Sequence, residues 1–145
     1  MTLYEIIRVK GSRVWTICEY QTIDEALRMM VQHNIGALPV VDDEKRLVGM
    51  ISEREMIRGS FENGRGLVSM PVAWLMTRHL VTASPEDEIE EIMEVMTVNR
   101  VRHVPVLRDG RLQGIVSIGD VVKALLADSQ HQIRYLKEFI YGPEV

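Results

Sequence analysis

The sequence predicts a mixed fold, α/β in its broad class and more closely α+β, built from two copies of one β-α-β-β-α unit. The first observation is an internal repeat. Residues 14–43 align with 80–109 at an offset of 66, and 45–58 align with 110–123 at an offset of 65. The second observation is that strand-type and helix-type patterns follow the same order in both segments. Because each unit alone is small for an independent core, we expect the two to pack together.

The alignment of the two segments supports a true repeat. Eleven aligned positions are identical, and many others exchange one apolar side chain for another. A single one-residue gap over this length indicates two copies of one unit. The identical pairs are Thr16/Thr82, Ile23/Ile89, Glu25/Glu91, Met30/Met96, Pro39/Pro105, Val40/Val106, Asp43/Asp109, Arg46/Arg111, Leu47/Leu112, Gly49/Gly114 and Ser52/Ser117.

Each unit is predicted to open with a short strand and a helix. The strands are residues 14–17 and 80–83. In the first unit, Thr22 and Glu25 have the spacing of a capping box at the start of a helix. In the second unit, Ser84 is a good N-cap residue and Pro85 suits the first helical position. Apolar residues at helical spacing follow both starts.

Two strands joined by a turn come next, and a helix closes each unit. The strand pairs are 38–41 with 47–51 and 104–107 with 112–116. Asp109-Gly110 suits a two-residue hairpin turn, because both residues tolerate positive φ. The closing helix begins at Glu53 in the first unit and spans residues 118–126 in the second.

Three segments lie outside the repeated pattern. Residues 59–66 are rich in glycine and polar side chains and indicate a loop. Residues 72–76 indicate a short helix, and residues 133–140 are amphipathic, so they need an apolar surface from the chain's own core or from a second subunit. The predicted domains are residues 1–66 (first unit with N-terminal segment and linker), 67–127 (second unit) and 128–145 (C-terminal amphipathic helix).

Composition excludes several classes of protein. With 17 Lys and Arg against 21 Asp and Glu, the net charge is −4, which argues against a nucleic-acid partner. No apolar run reaches the roughly 18 residues of a membrane span, and the first residues lack the pattern of a signal peptide. Cys18 alone cannot form an internal disulfide or a cysteine-based zinc site. We therefore expect a soluble, cytoplasmic protein with no membrane partner.

Catalytic and metal-binding patterns are weak. Ser117, His103 and Asp120 contain the letters of a hydrolase triad, but Ser117 and Asp120 are three residues apart and no Gly-x-Ser-x-Gly elbow occurs. The four histidines, His33, His79, His103 and His131, show no metal-ligand spacing. We predict no enzyme activity, no catalytic cofactor and no metal site.

The junction of strand and helix in the second unit has two interpretations. Ser117 and Asp120 have capping-box spacing, so they are accounted for by stabilisation of the helix start. The same geometry offers backbone N–H groups to a phosphate, a hydroxyl beside them and a carboxylate for a ribose. Gly119 leaves room for close approach of a ligand. In the first unit Glu55 stands where Asp120 stands in the second, and its extra methylene would crowd a ribose.

A local basic patch precedes the first hairpin strand of the second unit. Arg100, Arg102 and His103 lie close together in an acidic chain. This patch is either a solvated surface or a contact for phosphate, which the guanidinium of arginine binds with several donors.

These motifs resemble a tandem pair of CBS domains, also called a Bateman module. The resemblance covers roughly residues 10–127 and is carried by the segments 35–42, 47–55, 102–106 and 114–120; the chain is most similar to small stand-alone bacterial members. It implies a pseudo-two-fold module with two clefts between the copies. Such clefts bind adenosine-containing ligands, namely AMP, ADP, ATP, and sometimes NAD or S-adenosylmethionine.

The resemblance also implies which residues hold the ligand. The better site would use Ser117, Gly119 and Asp120, with Arg102 or His103 facing the phosphates. Its adenine side would be lined by Val14, Trp15, Thr16, Ile35, Gly36 and Ala37. The weaker site would use Ser52, Arg54, Glu55, Thr82, Val101 and Arg102, and Glu55 departs from the aspartate that is usual there.

The resemblance further implies a homodimer that pairs through its helices, with an adenosyl ligand altering that pairing or the activity of a separate protein. The sequence therefore predicts a ligand-sensing regulatory protein. The alternative is a constitutive dimerisation or scaffold module whose clefts no longer bind nucleotide.

Overall fold

The structure, a computed structural model, describes residues 1–11 and 13–142. The end of the predicted C-terminal segment, residues 143–145, lies outside the described residues. The helices are α1 (Leu3–Lys10), α2 (Ile23–His33), α3 (Glu53–Asn63), α4 (Val72–Leu75), α5 (Ile89–Asn99) and α6 (Ile118–Tyr141), and a 3₁₀ helix spans Gly64–Ser69. The strands are β1 (Ile17–Cys18), β2 (Ala37–Val41), β3 (Leu47–Ser52), β4 (His103–Arg108) and β5 (Arg111–Ser117).

Each unit is built on an antiparallel hairpin, as predicted. β2 pairs with β3 in the first unit and β4 with β5 in the second, while β1 adds a short parallel edge to β2. The register is equivalent in both hairpins, with Ala37 opposite Ser52 and His103 opposite Ser117. The predicted turn is confirmed, since Asp109 has a φ of 51° and Gly110 a φ of 76°. The mixed α+β class is therefore confirmed.

Each hairpin connects to its closing helix through an equivalent backbone hydrogen bond. The N–H of Glu53, at the start of α3, donates to the carbonyl of Gly36 at 3.1 Å. The N–H of Ile118, at the start of α6, donates to the carbonyl of Arg102 at 2.8 Å. These bonds hold the first turn of each closing helix beside the first residue of the hairpin.

The two units have separate cores. The first core includes Ile17, Ile23, Ala26, Met30, Leu38, Val40, Ile51, Met56, Leu67, Val72 and Met76. The second includes Leu3, Ile6, Ala83, Ile89, Ile92, Met96, Val104, Val106, Val116 and Val121. In each unit, the helix that precedes the hairpin, α2 or α5, buries one face against that hairpin.

The helix before each unit packs on the other unit. α1 precedes the first unit, yet Leu3 is fully buried in the second core and its N–H donates to the carbonyl of Asp87 at 3.0 Å. α4 precedes the second unit, yet Val72 is fully buried in the first core and its N–H donates to the carbonyl of Gln21 at 2.7 Å. Asp87 and Gln21 are equivalent positions of the repeat, so α1 and α4 are equivalent helices that the sequence alignment did not relate. The domain boundaries at 66 and 127 remain predictions, and the packing crosses the first of them.

Four of the predicted elements differ in the structure. The strand predicted at 14–17 is confined to β1, and residues 80–83 contribute one bridge from Ala83 to Val106. The second unit's first helix begins at Ile89 rather than at Pro85, because the N–H of Ser84 bonds the Asp87 carboxylate at 2.8 Å and closes a turn. The predicted C-terminal helix is continuous with α6 and does not stop at residue 126.

The predicted loop at 59–66 is also wrong, because α3 continues to Asn63 and the 3₁₀ helix follows directly. The reason is close packing at Gly59. A Cβ atom there would lie 2.1 Å from Leu75 Cδ2 and 2.8 Å from Leu67 Cδ1. Glycine at this position serves a close helix contact rather than a flexible linker.

The exchange of α1 between units predicts a measurable cost for weakening it. Leu3→Ala should lower the free energy of unfolding by about 2–5 kcal/mol, because the fully buried side chain leaves a cavity in the second core. Urea denaturation measures this change. Val9→Ala is the matched control on the same helix, since Val9 is 89% exposed and its truncation should change stability by less than about 0.5 kcal/mol. Equal effects of the two substitutions would show that α1 does not contribute to the core.

Candidate functional site

Two clefts lie between the repeated units, on either side of Gly36, Ala37 and His103. These three residues line both clefts. Ala37 and His103 are equivalent positions of the repeat, so the clefts are related by the same approximate symmetry as the units. The larger cleft has a volume of about 690 Å³ and the smaller about 430 Å³. Both fall within the range typical of small-molecule sites.

The larger cleft, here called the arginine cleft, is lined by four guanidinium groups. Arg54 and Arg58 come from the first two turns of α3, and Arg100 and Arg102 come from the segment between α5 and β4. Two carboxylates, Glu53 and Glu55, also line it. Within the part of the chain that the structure describes, none of the four arginines forms an ion pair. The cleft therefore presents an excess of positive charge in a chain of net negative charge.

Most residues predicted for the weaker of the two nucleotide sites line the arginine cleft. These are Ser52, Arg54, Glu55, Val101 and Arg102. The cleft is also lined by Gly36, Ala37 and His103, which were predicted for the better site. Thr82 does not line it and is exposed elsewhere on the surface. The basic patch predicted at Arg100, Arg102 and His103 also lines this cleft. Arg58, Phe61 and His79 line it too and were not predicted as site residues, although the helical spacing of Arg58 and Phe61 from Arg54 is visible in the sequence.

Glu55 already has a structural role at this site. Its Oε2 accepts a hydrogen bond from the backbone N–H of Ser52 at 2.8 Å and another from the hydroxyl of Ser52. This is the reciprocal cap at the start of α3. Oε1 of Glu55 is not used by the cap, so the carboxylate retains an acceptor for a ligand.

The smaller cleft, here called the tryptophan cleft, contains part of the site that the sequence favoured. Val14, Trp15, Ile35 and Ser117 line it, again with Gly36, Ala37 and His103. Thr16, Gly119, Asp120 and Arg102 do not line it. Gly119 is exposed on α6, and Asp120 faces the N-terminal helix instead.

A lysine that the sequence analysis did not single out holds Asp120. Lys10 Nζ donates to Asp120 Oδ2 at 2.8 Å and to the carbonyl of Ile115 at 2.9 Å. The same Oδ2 accepts the backbone N–H of Ser117 at 2.9 Å, and Ser117 Oγ accepts the N–H of Asp120 at 3.1 Å. The capping interpretation of this motif is therefore present in the structure, with an ammonium group added to it.

The Lys10 contact changes the acidity of the carboxylate. Burial raises the pKa of Asp120, but the hydrogen bonds from Lys10 and from the Ser117 backbone outweigh it, so the pKa lies below its usual 3.8. Asp120 is thus ionised at neutral pH, with its charge balanced inside the chain.

Trp15 is held in a fixed orientation at the tryptophan cleft. Its ring stacks on His33 with centroids 3.5 Å apart and an angle of 11° between the planes. The guanidinium of Arg13 lies 5.1 Å from the centroid of the Trp15 ring, a cation–π distance. Arg13 and Lys10 both line this cleft and give it a cationic wall.

His103 lies where the two clefts meet. Burial, followed by the positive charge of Lys10, lowers the pKa of the His103 imidazole below its usual 6.5, while Glu53 and Asp120 oppose the shift. The ring is therefore neutral at pH 7 and able both to donate and to accept a hydrogen bond.

The ion pair between Lys10 and Asp120 predicts a pH-dependent effect of Lys10→Met. The depressed pKa of Asp120 contributes stability above the unfolded-state pKa of about 3.9, and this contribution is lost as pH falls through the folded-state value. The variant should be less stable than wild type at pH 7 by up to about 1 kcal/mol, and the difference should shrink below about pH 4. Urea denaturation at several pH values measures it.

Arg8→Met is the matched control on α1, because Arg8 is exposed and forms no ion pair within the described residues. Carboxyl-carbon NMR should also show a higher pKa for Asp120 in Lys10→Met. An unchanged Asp120 pKa in that variant would contradict the pairing.

Among the helices of the described residues, none combines the length and the apolar composition that a membrane span requires. Among the same residues, no group of three or more histidine, cysteine, aspartate or glutamate side chains is arranged to hold a metal ion.

Comparisons with known proteins bear on the two units directly. The CBS domain model matches residues 6–62 and 72–127. The chain is 36% identical over 149 residues to the CBS domain-containing protein CBSX3, mitochondrial, of Arabidopsis thaliana, covering 97% of this chain and 72% of that protein.

Solved structures give the same relationship. The CBS-domain containing protein ATU1752 from Agrobacterium tumefaciens superposes with a TM-score of 0.83 at 35% identity, covering 86% of this chain and 92% of that chain. The CBS domain pair of protein MJ0100, solved in complex with 5-methylthioadenosine and S-adenosyl-L-methionine, superposes with a TM-score of 0.77 at 25% identity, covering 86% and 99%. Stand-alone CBS pairs are regulatory domains rather than enzymes. The chain belongs to the CBS-domain family and consists of a tandem CBS pair, the Bateman module that its repeat indicates.

Proposed function

We propose that this CBS pair is a cytoplasmic regulatory sensor that binds an adenine nucleotide, with the arginine cleft as its main site. CBS pairs are regulatory modules, and the related pair of MJ0100 was solved with two adenosyl ligands. The observation that carries the proposal is the set of four arginines that line a cleft of about 690 Å³ and form no ion pair among the described residues. The proposal thus reverses the order of the two sites that the sequence favoured.

The four arginines favour a ligand with several phosphate oxygens. Guanidinium groups bind phosphate through paired, charge-assisted hydrogen bonds, and these are among the stronger polar contacts in proteins. Arg54 and Arg58 belong to the first unit, whereas Arg100 and Arg102 belong to the second. A bridging ADP or ATP would therefore contact both units, and we expect these ligands to bind more tightly than adenosine.

The rest of the cleft suits a nucleoside. Its apolar wall includes Ala37, Met50, Val81, Val101 and Pro105, which would contact an adenine ring. Glu55 would accept a ribose hydroxyl through Oε1, because Oε2 is committed to the helix cap. Although Glu55 is one methylene longer than the aspartate that is usual here, its Oε1 would still be available as an acceptor for the ribose.

The tryptophan cleft would be a secondary site. Asp120 is engaged by Lys10, so a nucleotide there would have to displace that lysine before Asp120 could bind ribose. Lys10, Arg13 and His103 would instead meet the phosphates. We therefore expect weaker binding in this cleft.

Binding to residues of both units would favour one relative arrangement of the pair. The ligand can change the free-energy difference between the two arrangements by no more than the difference between its binding free energies for them. This change in arrangement would alter the binding of a separate target protein or the pairing of two copies of this chain.

The alternative function is a scaffold whose clefts no longer bind nucleotide. The Lys10–Asp120 ion pair favours it, since an internal cation occupies the carboxylate that the resemblance assigned to ribose. The arginine cleft argues against it, because its four guanidinium groups, which form no ion pair with any residue that the structure describes, repel one another and a bound anion relieves that repulsion.

A thermal-shift panel with AMP, ADP, ATP, NAD and S-adenosylmethionine tests the proposal. A ligand at 100 times its Kd adds about 2.7 kcal/mol to stability, which raises the Tm of a domain of this size by several degrees. Arg102→Gln should weaken binding of ADP and ATP about tenfold to a hundredfold, through loss of hydrogen bonds to a charged group. Arg111→Gln is the matched control, since Arg111 is exposed on β5 and lines neither cleft.

Asp120→Ala separates the two clefts. It should cost about 1 kcal/mol of stability through loss of the cap, yet leave the affinity for ATP within twofold of wild type. If the folded, nucleotide-free protein shows no shift with any of the five ligands, the scaffold function is correct and the proposal is wrong.

A further inference from the structure

Lys10, the last residue of α1, lies at the wall of the tryptophan cleft. Its ammonium group donates to Asp120 Oδ2 at 2.8 Å and to the carbonyl of Ile115 at 2.9 Å. Lys10 and Ile115 both line the cleft, whereas Asp120 does not. The lysine is therefore the member of the ion pair that a ligand in this cleft would meet first.

The packing of α1 fixes the backbone of Lys10 but not its side chain. Leu3 and Ile6 are buried in the second core. Ile7 packs closely on β5, since a Cβ atom added at Gly114 would lie 3.4 Å from Ile7 Cγ1. The Lys10 side chain is 47% exposed, and a lysine stem is flexible. The ammonium can thus exchange one acceptor for another nearby while α1 stays in place.

The ammonium of Lys10 occupies an acceptor position that a ribose needs. Asp120 Oδ2 accepts the Lys10 ammonium at 2.8 Å and the N–H of Ser117 at 2.9 Å. A carboxylate oxygen has about two acceptor sites, so these two bonds fill Oδ2. Contact of both ribose hydroxyls with both carboxylate oxygens, the stronger paired arrangement, therefore needs the position that Lys10 holds.

Moving Lys10 away from Asp120 breaks a charge-assisted hydrogen bond, and what replaces it depends on the ligand. Ribose hydroxyls are neutral donors, so they replace only part of what the carboxylate loses. A phosphate on the same ligand gives the displaced ammonium a new anionic acceptor, which conserves the number of ion pairs. Adenosine provides no such acceptor, and the sulfonium of S-adenosylmethionine would repel the ammonium. Phosphate on the ligand therefore offsets the loss of the internal ion pair.

We propose that Lys10 is a specificity-determining residue, which restricts the tryptophan cleft to phosphorylated adenosine ligands. The ammonium exchanges the Asp120 carboxylate for the phosphate, while the ribose takes its place on the carboxylate. Arg13 and His103 line the same cleft and supply further donors to the phosphate. This inference rests on the proposed function, because it requires an adenosyl ligand in the tryptophan cleft.

The fluorescence of Trp15 reports on this cleft, because Trp15 lines the tryptophan cleft and not the arginine cleft. The chain has two tryptophans, and the other, Trp74, is 72% exposed on α4 and lines neither cleft. In a Trp74→Phe background, the tryptophan emission therefore comes from Trp15 alone. Titration of this protein with AMP and with adenosine gives a dissociation constant for each. AMP should bind at least about tenfold more tightly, the equivalent of one hydrogen bond to a charged group.

Lys10→Met in the same background removes the competing ammonium. Adenosine should then bind about tenfold more tightly than before, because Asp120 is free to accept both ribose hydroxyls. AMP should lose its advantage over adenosine by a similar factor, since the phosphate no longer has an ammonium to bind. Lys10→Gln, a second uncharged variant, should change both dissociation constants in the same directions.

Two arginines provide matched controls in the Trp74→Phe background. Arg8 is exposed on α1 and lines neither cleft, so Arg8→Met should leave both dissociation constants unchanged. Arg13 lines the tryptophan cleft beside Trp15, so Arg13→Met should weaken binding of AMP without strengthening that of adenosine.

The gain in adenosine binding is the decisive result, because a lysine that only stabilises α1 or only contacts phosphate would not produce it. Unchanged or weaker adenosine binding in both Lys10→Met and Lys10→Gln would overturn the proposal. Equal affinities for AMP and adenosine with Lys10 in place would also overturn it. The proposed function is tested separately by the Tm of the wild-type protein with ATP. A Tm shift with ATP and no gain in adenosine binding would overturn this inference and leave the proposed function standing.

Discussion

The exchange of two helices, α1 and α4, between the repeated units is the contact on which the rest of the structure depends. Leu3 of α1 closes the second core, and Val72 of α4 closes the first. Neither unit has a complete core without the segment that precedes the other. The exchange fixes the position of one hairpin relative to the other, and the two clefts are the spaces that this arrangement leaves open beside Gly36, Ala37 and His103. A ligand in either cleft would therefore contact residues of both units, whose relative position the exchanged helices already fix.

The two clefts differ in how the chain balances their charges. In the tryptophan cleft, Lys10 is paired with Asp120, which leaves Arg13 as one guanidinium group there without an ion pair among the described residues. In the arginine cleft, the guanidinium groups have no partner within the described residues. An anion gains more from unpaired cations than from cations that must first leave a carboxylate. We therefore rank the two clefts by the number of cations without an ion pair, and not by whether the helix-start motif carries Glu55 or Asp120.

Much of the fold could be predicted from the sequence because it depends on local patterns. The hairpin turn at Asp109-Gly110 and the caps at Thr22, Ser52 and Ser117 are set by residues within a few positions of each other. The role of α1 could not be predicted, since its burial depends on a surface more than 80 residues away. The Lys10–Asp120 pair was missed for the same reason: the two residues are separated by 110 positions. The helix at Gly59 could not be predicted, because a glycine in a close helix contact has the same local sequence pattern as a glycine in a loop.

The proposed site for an adenine nucleotide lies between the two units, where His103 lines both clefts. The Cε1–H NMR signal of His103 during titration with ATP reports most directly on a ligand at this position. His131, exposed on α6, is the internal reference. We expect a saturable shift of the His103 signal, with no change at His131, and a rise in the depressed pKa of His103 when phosphates bind nearby. Saturable binding of ATP that leaves the His103 signal and its pKa unchanged would place the nucleotide outside both clefts.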